Sequence, residues 1–422
     1  MSRIPHSGKA LVLTASVRTF QEKISSRRIL YFLKFRKNDV LYQEKEDPCR
    51  ISWKCHQAAW HDLRGRVITE EVKCLDKPGY ACPGPVTWPS FKEYQSIVRS
   101  YSRRHFTYDS DVVPAFAGTA SSLADIFPGG TLYGLPILFF DVALLWIIPS
   151  GAKRRSIDVT SHESIRPPSW SWMAWRGQLW GGTNPFWSNF SLGGTKGAVV
   201  SPLVQWYYIS AGGAQVRIEN ELYKYRHLAQ DSESPLPSGW SRTISTSSKS
   251  DMRDKLCYVT PCAPGQEFHF PIPLVDAPDA VTIPVPASNK ITCRTERAYF
   301  SLDRPAKVWA RPKFPALRLF PHIVDASGSI SGKMLETGDK PPEGADSIIM
   351  VELIAVSTTL LGALPSGCPF THLETYCLGA RDFYNVLWIE WTDGIAYRKG
   401  VGFVTKAAWE AADRELIDVV LG

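Results

Sequence analysis

Apolar side chains recur with two different periods along the chain, and the change of period predicts where helices give way to strands. In the first half, apolar residues recur every three or four positions from Ser90 to Arg103, which predicts a helix. Ser90 and Glu93 form a capping-box pattern at its start. A second helical stretch, Asp109 to Ile126, is interrupted at Pro114.

The most apolar stretch of the chain runs from Leu135 to Pro149 and raises the question of a membrane span. It is about 15 residues long, carries Asp141 near its centre and is bounded by prolines, whereas a spanning helix needs about 20 apolar residues. We therefore predict a buried core helix, Leu135–Ile148, and a soluble protein without a membrane anchor. The scattered cysteines fit reduced thiols, so we expect a cytoplasmic location.

Residues 1–48 are predicted to form a small unit of one helix and one hairpin. The helix is Thr19–Ser26, and the hairpin strands are Ile29–Leu33 and Val40–Tyr42. Residues 49–90 are rich in proline, glycine and cysteine, which predicts a loop. Residues 91–160 are then a helical segment.

From residue 161 to 422 we predict a β-rich domain, so the fold class is α+β. Its last hairpin turns at Asp393-Gly394 within Asp382–Thr405, and a helix from Lys406 to Glu415 ends the chain. Several runs rich in β-branched or aromatic residues predict further strands: Val204–Ser210, Gln215–Ile218, Lys255–Thr260, Ala280–Pro286, Lys290–Arg294, Ala298–Leu302 and Ser347–Ser357.

Composition adds aromatic cores and a basic first quarter to this picture. The 15 Trp, 16 Tyr and 19 Phe supply large apolar areas. The net charge is +7, and residues 1–110 alone carry 20 Lys/Arg against 11 Asp/Glu. No nucleic-acid-binding motif accompanies that excess, so a solvated basic face is favoured over nucleic-acid binding.

Cysteine and histidine spacing argues against a metal site. Zinc sites use paired ligands two to four residues apart, and no such cysteine pair occurs. The nine cysteines therefore predict reduced thiols, and no cofactor or nucleophile motif is found. Six residues of ligand type fall within 34 positions: Cys49, Cys55, His56, His61, Cys74 and Cys82.

Three tryptophans at close spacing, Trp170, Trp172 and Trp175, allow two interpretations. They form an aromatic cage or groove that binds a ligand, or they alternate along a strand with one buried face. The spacing favours the core, and we expect Trp170, Trp172, Trp388 and Trp391 to be largely buried.

Five segments in series resemble the fungal heterokaryon-incompatibility (HET) family over residues 19–409. Each is unspecific alone, and the ordered series carries the resemblance. The segments are Thr19-Phe20-Gln21-Glu22 with Ser26 to Phe32, Arg104 to Gly118, Gly134-Leu135-Pro136 with Phe140-Asp141 and Leu144-Leu145-Trp146, Pro168 to Gly177, and Tyr384 to Gly402.

The early motifs of the incompatibility domain are missing from the chain, and only the tail of that domain is similar. Val17-Arg18 stands where the family has a Gly-Trp pair. We therefore expect a truncated gene product or a mispredicted start, with residues 1–48 as the remnant of the domain.

The resemblance implies a role in non-self recognition and programmed cell death. The leading hypothesis is a non-enzymatic scaffold or regulator with an unidentified protein partner. Because the family domain is thought to resemble TIR modules, one alternative is a nucleotide (NAD) hydrolase around Glu22. Against it, Glu22 is better explained as a residue that caps a helix end or forms a salt bridge there, near Lys23, Arg27 and Arg28. The other alternative is protein binding through an aromatic groove.

Overall fold

The structure, a computed structural model, describes the strands of the first quarter and most of the chain from residue 89 onward. The described residues are 28–32, 51–55, 58–63, 66–71, 89, 91–104, 106–124, 126–127, 129–148, 153–156, 166–177, 179, 198–219, 235–236, 238–244, 256–265, 267–268, 286–303, 321–337, 349–361 and 382–422.

The first quarter contains a four-stranded antiparallel meander. Its first strand overlaps the predicted strand Ile29–Leu33, whereas the predicted helix Thr19–Ser26 and strand Val40–Tyr42 lie outside the described residues. The strands are β1 Arg28–Phe32, β2 Ile51–Cys55, β3 Ala58–Leu63 and β4 Arg66–Glu71.

This sheet shows that the predicted loop over 49–90 is wrong for residues 51–55, 58–63 and 66–71. Of the three segments, only Ile51–Cys55 alternates between apolar and polar residues, and the short gaps that separate it from Ala58–Leu63 and Arg66–Glu71 allow consecutive antiparallel pairing. β1 pairs with β2, so the predicted domain boundary between 48 and 49 crosses a sheet.

Helices are few and short in the described chain. The first one buries the predicted face, with Tyr94, Ile97, Val98 and Tyr101 at most 1 % exposed. The α-helices are α1 Phe91–Ser102, α2 Ala117–Ala124, α3 Phe140–Ala143 and α4 Lys406–Ala411, and the 3-10 turns are Asp109–Val112, Pro114–Phe116, Ile137–Phe139 and Trp172–Ala174.

The stretch 135–148 is buried as predicted, but the prediction of one continuous helix is wrong. It contains a two-residue strand, a 3-10 turn and the single turn of α3. Pro136 is extended, with ψ of 129°, and the carbonyl groups of Leu144 and Trp146 accept hydrogen bonds from a distant arginine instead of from a following turn. Among the described residues, no helix is both long and apolar enough to cross a membrane.

Small two-stranded pairs precede the main sheet. They are β5 Thr131–Leu132 with β6 Leu135–Pro136, and β7 Lys153–Arg154 with β8 Trp175–Arg176.

The second half is strand-rich and dominated by one large sheet, as predicted for the C-terminal region. Its first three strands and a separate pair are β9 Ala198–Pro202, β10 Tyr207–Ser210, β11 Gln215–Arg217, β12 Ser241–Ile244 and β13 Leu256–Val259. The remaining strands are β14 Pro286–Asp303, β15 His322–Val324, β16 Ile330–Thr337, β17 Ile349–Leu361, β18 Asp382–Thr392, β19 Ile395–Thr405 and β20 Glu415–Leu421.

Six of these strands close on themselves. β14 pairs with β15, β15 with β16, β16 with β19, β19 with β18, β18 with β17, and β17 returns to β14, always antiparallel. We call this closed set the strand ring. Since every member pairs on both sides, the ring leaves little free strand edge.

The longest strand, β14, changes its buried face midway. Ile291 and Cys293 are buried on one face, whereas Phe300 and Leu302 are buried on the opposite one. This change explains why the sequence predicts two strands, Lys290–Arg294 and Ala298–Leu302, where the structure has one.

The two faces of the ring strands belong to two separate cores. The inner core is filled from all six strands and from α4. Its members are Ala298, Phe300, Leu302, Ile323, Met334, Val351, Leu353, Ala355, Val386, Val404 and Trp409.

Outward side chains of the ring, such as Ile354, Leu387 and Phe403, join a larger core that also contains α1 and the aromatic segments around Trp146 and Trp170. Residues from both sides of the predicted boundary between 160 and 161 therefore share one core.

The end of the chain confirms one prediction and corrects another. Asp393 and Gly394, with φ of +51° and +74°, make the predicted hairpin turn between β18 and β19. The predicted terminal helix Lys406–Glu415 ends at Ala411. Strand β20 follows it and pairs with β14 of the large sheet.

Candidate functional site: a buried tryptophan hub

Three of the four motif segments identified in the sequence between Arg104 and Gly402 meet in one place, and the remaining one lies beside it. We call the meeting point the tryptophan hub and define it by Trp146, Trp170, Trp172, Trp175 and Arg398. All five side chains are at most 3 % exposed. The hub joins residues more than 200 positions apart, so it forms only in the folded chain.

Arg398 is the centre of the hub. Its guanidinium donates to the carbonyl oxygens of Leu144 and Trp146, both at 2.6 Å, and its central carbon lies 3.7 Å from the centroid of the Trp146 ring. A buried cation is stable only with such compensation, here from carbonyl oxygens and an aromatic face. Arg398 thus fixes the irregular backbone after α3.

Ser169 joins the hub to two strands of the sheet. Its hydroxyl donates to the Gly422 carbonyl and accepts from the Arg398 amide at 2.8 Å, and its own amide donates to the same Gly422 carbonyl at 2.9 Å. A serine nucleophile needs a base to take its proton. The Ser169 proton is already held by a main-chain oxygen, so this serine has a structural role.

The indole N–H groups of the hub all donate to main-chain carbonyls. Trp146 donates to Trp170 at 2.8 Å, Trp175 to Ser169 at 2.9 Å and Trp172 to Gly134 at 3.3 Å. Trp170 donates to Asn289 at 3.3 Å. These bonds orient the large rings while satisfying their polar edges.

Trp170, Trp172 and Trp175 therefore do not line the predicted aromatic groove. Their side chains are 0, 2 and 3 % exposed, and edge-on contacts with Tyr101 and Phe116 cover Trp172. The alternative of an alternating strand is also wrong in detail, because a 3-10 turn covers Trp172–Ala174. Their role is core packing.

The other two tryptophans differ from the expectation of burial. Trp388 is half-buried against the inner core of the strand ring, and Trp391 is 38 % exposed. Trp391 lies at the outer end of β18, where the larger core no longer covers the strand.

Gly134, which contacts Trp172 of the hub, is a position where a side chain has no room. Its φ is +79°, and a Cβ atom there would lie 2.6 Å from Met173 and 2.9 Å from Trp172. Its carbonyl accepts from both Tyr94 and Trp172. A glycine is needed because backbone and rings approach so closely.

Beside the hub, Asp109 binds two arginines. Its carboxylate accepts from Arg155 at 3.0 Å and from Arg176 at 2.6 Å, and also from the Ser156 amide at 3.0 Å. Burial raises the pKa of Asp109, but the hydrogen bonds from Arg176 and Arg155 outweigh it and leave that pKa lowered. Asp109 is therefore an ionised structural anchor.

The remaining sequence candidates give no reactive centre among the described residues. Glu22 lies outside them, as do Cys49, Cys74 and Cys82. No group of three potential metal ligands occurs in the described part of the chain. Burial raises the pKa of the Cys257 and Cys293 thiols, so both remain protonated at neutral pH.

The arginines that organise this region were missed at the sequence level. One pattern pointed to Arg398: it shares strand parity with the apolar Ala396, which places it on the buried face. Asp109 and Arg176 are 67 residues apart and show no such pattern.

No family model matches the chain, and no curated protein or solved structure matches it either.

Proposed function

We propose that this chain is a non-enzymatic member of the heterokaryon-incompatibility family that acts in the cytoplasm as a scaffold or regulator of fungal non-self recognition and programmed cell death. The supporting observation is the tryptophan hub. The segments that carry the family resemblance use their polar groups to hold the fold, through bonds such as those from Arg398 and Trp146.

The absence of enzymatic activity in this proposal is supported by the chemistry of the described groups. Ser169 donates to a main-chain carbonyl, Asp109 is occupied by Arg155 and Arg176, and the buried thiols are protonated. Catalysis needs a group that can accept or donate a proton in the reaction, and these groups are already committed.

Protein binding through aromatic side chains is supported by a different surface from the one expected. Tyr299, Met350 and Trp391 are 52, 61 and 38 % exposed on the outer face of the strand ring. Glu352, between Tyr299 and Trp391, accepts from the Trp391 indole at 2.9 Å and from Arg297 at 3.1 Å. Exposed aromatic and methionine side chains with an ordered charged rim are typical of protein interfaces.

The enzymatic alternative is tested first with purified full chain. Incubation with NAD should give no turnover above the buffer rate, for the chain and for Glu22→Ala alike. NAD hydrolysis that disappears in Glu22→Ala would replace the scaffold proposal by the TIR-like one.

The biological role is tested by deleting the gene and scoring cell death in heterokaryons with incompatible strains. The chain and Glu22→Ala should both restore the response. A Tyr299→Ala, Trp391→Ala double variant should restore it less than the control Leu203→Ala, which alters an equally exposed apolar residue elsewhere. A deletion without effect on cell death would contradict the proposal.

A further inference from the structure

A series of hydrogen bonds crosses four neighbouring strands on the outer face of the strand ring. Arg297 of β14 donates to Glu415 of β20 at 2.6 and 3.0 Å and to Glu352 of β17 at 3.1 Å. The indole of Trp391 in β18 donates to the same oxygen of Glu352 at 2.9 Å. Because each of the four side chains stands on a different strand of one sheet, the pairing of those strands fixes their relative positions.

Exposed apolar side chains lie directly beside these polar groups. Tyr299 is the cross-strand partner of Glu352, and its ring centroid lies 5.7 Å from the guanidinium carbon of Arg297. Met350 precedes Glu352 by two residues on β17 and so projects from the same face. We call this surface the outer patch and define it by Arg297, Tyr299, Met350, Glu352, Trp391 and Glu415.

The outer patch is ordered before any partner arrives. The side chains of Arg297 and Glu352 are only 25 and 13 % exposed and hold each other in place. A surface whose side chains are already fixed loses little conformational entropy on binding. Tryptophan, tyrosine, arginine and methionine are also the residues enriched where protein interfaces are best packed. The patch therefore has the composition and the rigidity of a protein-binding surface.

The charge of the outer patch selects among partners. It contains two carboxylates and one guanidinium, so its formal charge is −1. Both bonds from Arg297 to Glu415 end on Oε2, and the Glu415 side chain remains 63 % exposed, so this carboxylate can accept from an incoming cation. Aromatic rings beside it also attract cations. Nucleic acids and anionic lipids carry phosphates, which the carboxylates repel.

We propose that the outer patch binds a segment of a partner protein in which lysine or arginine stands next to apolar side chains. The cation of the partner pairs with Glu415, and its apolar side chains pack on Tyr299, Met350 and Trp391. This inference rests on the proposed protein-binding function and adds the chemical character of the partner.

The test uses the purified full chain and a fluorescein-labelled heptapeptide in which leucine alternates with lysine and arginine. Fluorescence anisotropy should show saturable binding that weakens with salt, because salt screens exposed ion pairs. A matched peptide with glutamate in place of the basic residues should bind about tenfold more weakly. The chain as a whole carries a net charge of +7, so unspecific attraction would favour the acidic peptide instead. Equal or tighter binding of the acidic peptide, or no saturable binding of the basic one, would overturn the proposal.

Two variants locate the binding on the outer patch. Glu415→Gln removes one negative charge at an exposed position and should raise the Kd for the basic peptide about fivefold. Met350→Ser removes an exposed apolar contact and should raise that Kd about threefold. Glu219→Gln is the matched control, since Glu219 is 60 % exposed and also pairs with an arginine, Arg217. Equal Kd values for Glu415→Gln and Glu219→Gln would place the peptide elsewhere and overturn the site.

The heterokaryon assay separates this inference from the function on which it rests. Suppose that the Tyr299→Ala, Trp391→Ala double variant fails to restore cell death, while the basic peptide does not bind. The proposed function then stands, and the partner chemistry inferred here is wrong. Peptide binding with the expected response to Glu415→Gln, combined with a gene deletion that leaves cell death unchanged, would support the partner chemistry and reject the proposed role.

Discussion

The tryptophan hub and the interior of the strand ring are both buried cores, but they are held together differently. The ring interior is built from apolar side chains that alternate along paired strands, together with Trp409 of α4. The hub is built on irregular backbone, and its large rings are oriented by directional bonds to carbonyl oxygens. One core depends on strand pairing and the other on individual hydrogen bonds.

This difference teaches where the chain tolerates change. Apolar side chains of similar volume can replace each other in a regular core with modest loss of stability. A hub that depends on a few donors fails when one donor is removed, because the carbonyl groups are left buried without a partner.

The largest effect should follow removal of the Arg398 guanidinium. Arg398→Ala leaves the carbonyls of Leu144 and Trp146 without their donor and should lower the free energy of unfolding by about 4 kcal/mol, measured by urea denaturation. Arg398→Lys keeps a cation and should lose about half as much. A loss below about 1 kcal/mol for Arg398→Ala would show that the hub does not depend on this donor.

A similar loss, of about 3 to 4 kcal/mol, should follow Trp409→Ala in the strand ring. Trp409 is fully buried and stacks between Phe300 at 5.8 Å and Tyr384 at 5.6 Å. Trp409→Phe keeps the stacking, loses only the bond to Glu296 and should cost about 1 kcal/mol. If Trp409→Phe proved as damaging as Trp409→Ala, the ring would also depend on directional bonds.

Asp109→Asn should have an intermediate effect that depends on pH. The pKa of Asp109 is lowered in the folded chain, so its contribution to stability is present above the unfolded pKa of about 4 and is lost as the pH falls through the folded value. We expect a loss of about 2 kcal/mol at pH 7 that shrinks below pH 4. Urea midpoints of both proteins from pH 7 to pH 3 test this, and a constant difference would contradict it.

The smallest effect should come from the outer face of the strand ring. Met350 is 61 % exposed, so Met350→Ser should change the free energy of unfolding by less than about 0.5 kcal/mol. Thermal denaturation measures this, with Val351→Ser as the buried neighbour that should lose several times more. A large loss at Met350 would mean that this surface is covered in the protein.

The sequence predicted the regular elements well because their periods are local. The face of α1 and the turn at Asp393-Gly394 follow from residues a few positions apart. The β2–β4 meander was missed because cysteines and nearby prolines suggested a loop, and because only β2 shows a clear alternation of apolar and polar residues. The change of buried face along β14 likewise could not be predicted, because it becomes apparent only when both cores are known.

The hub could not be predicted to the same extent, since its bonds join distant segments. No sequence pattern near Asp109 indicates that it pairs with Arg155 and Arg176. The spacing of Trp170 alone is compatible with either a groove or a buried core. The position of Arg154 could not be predicted either, because the two rings beside it, Trp175 and Tyr397, are more than 200 residues apart in sequence.

The long reach of the Arg398 contacts has a consequence for biosynthesis. Leu144 and Trp146 are synthesised some 250 residues before Arg398, their hydrogen-bond donor. The aromatic segments around them therefore lack this donor during much of translation. Contacts between residues so distant in sequence form slowly, and partly folded intermediates expose apolar surface that promotes aggregation. Newly made chains should therefore depend on chaperones until β19 emerges.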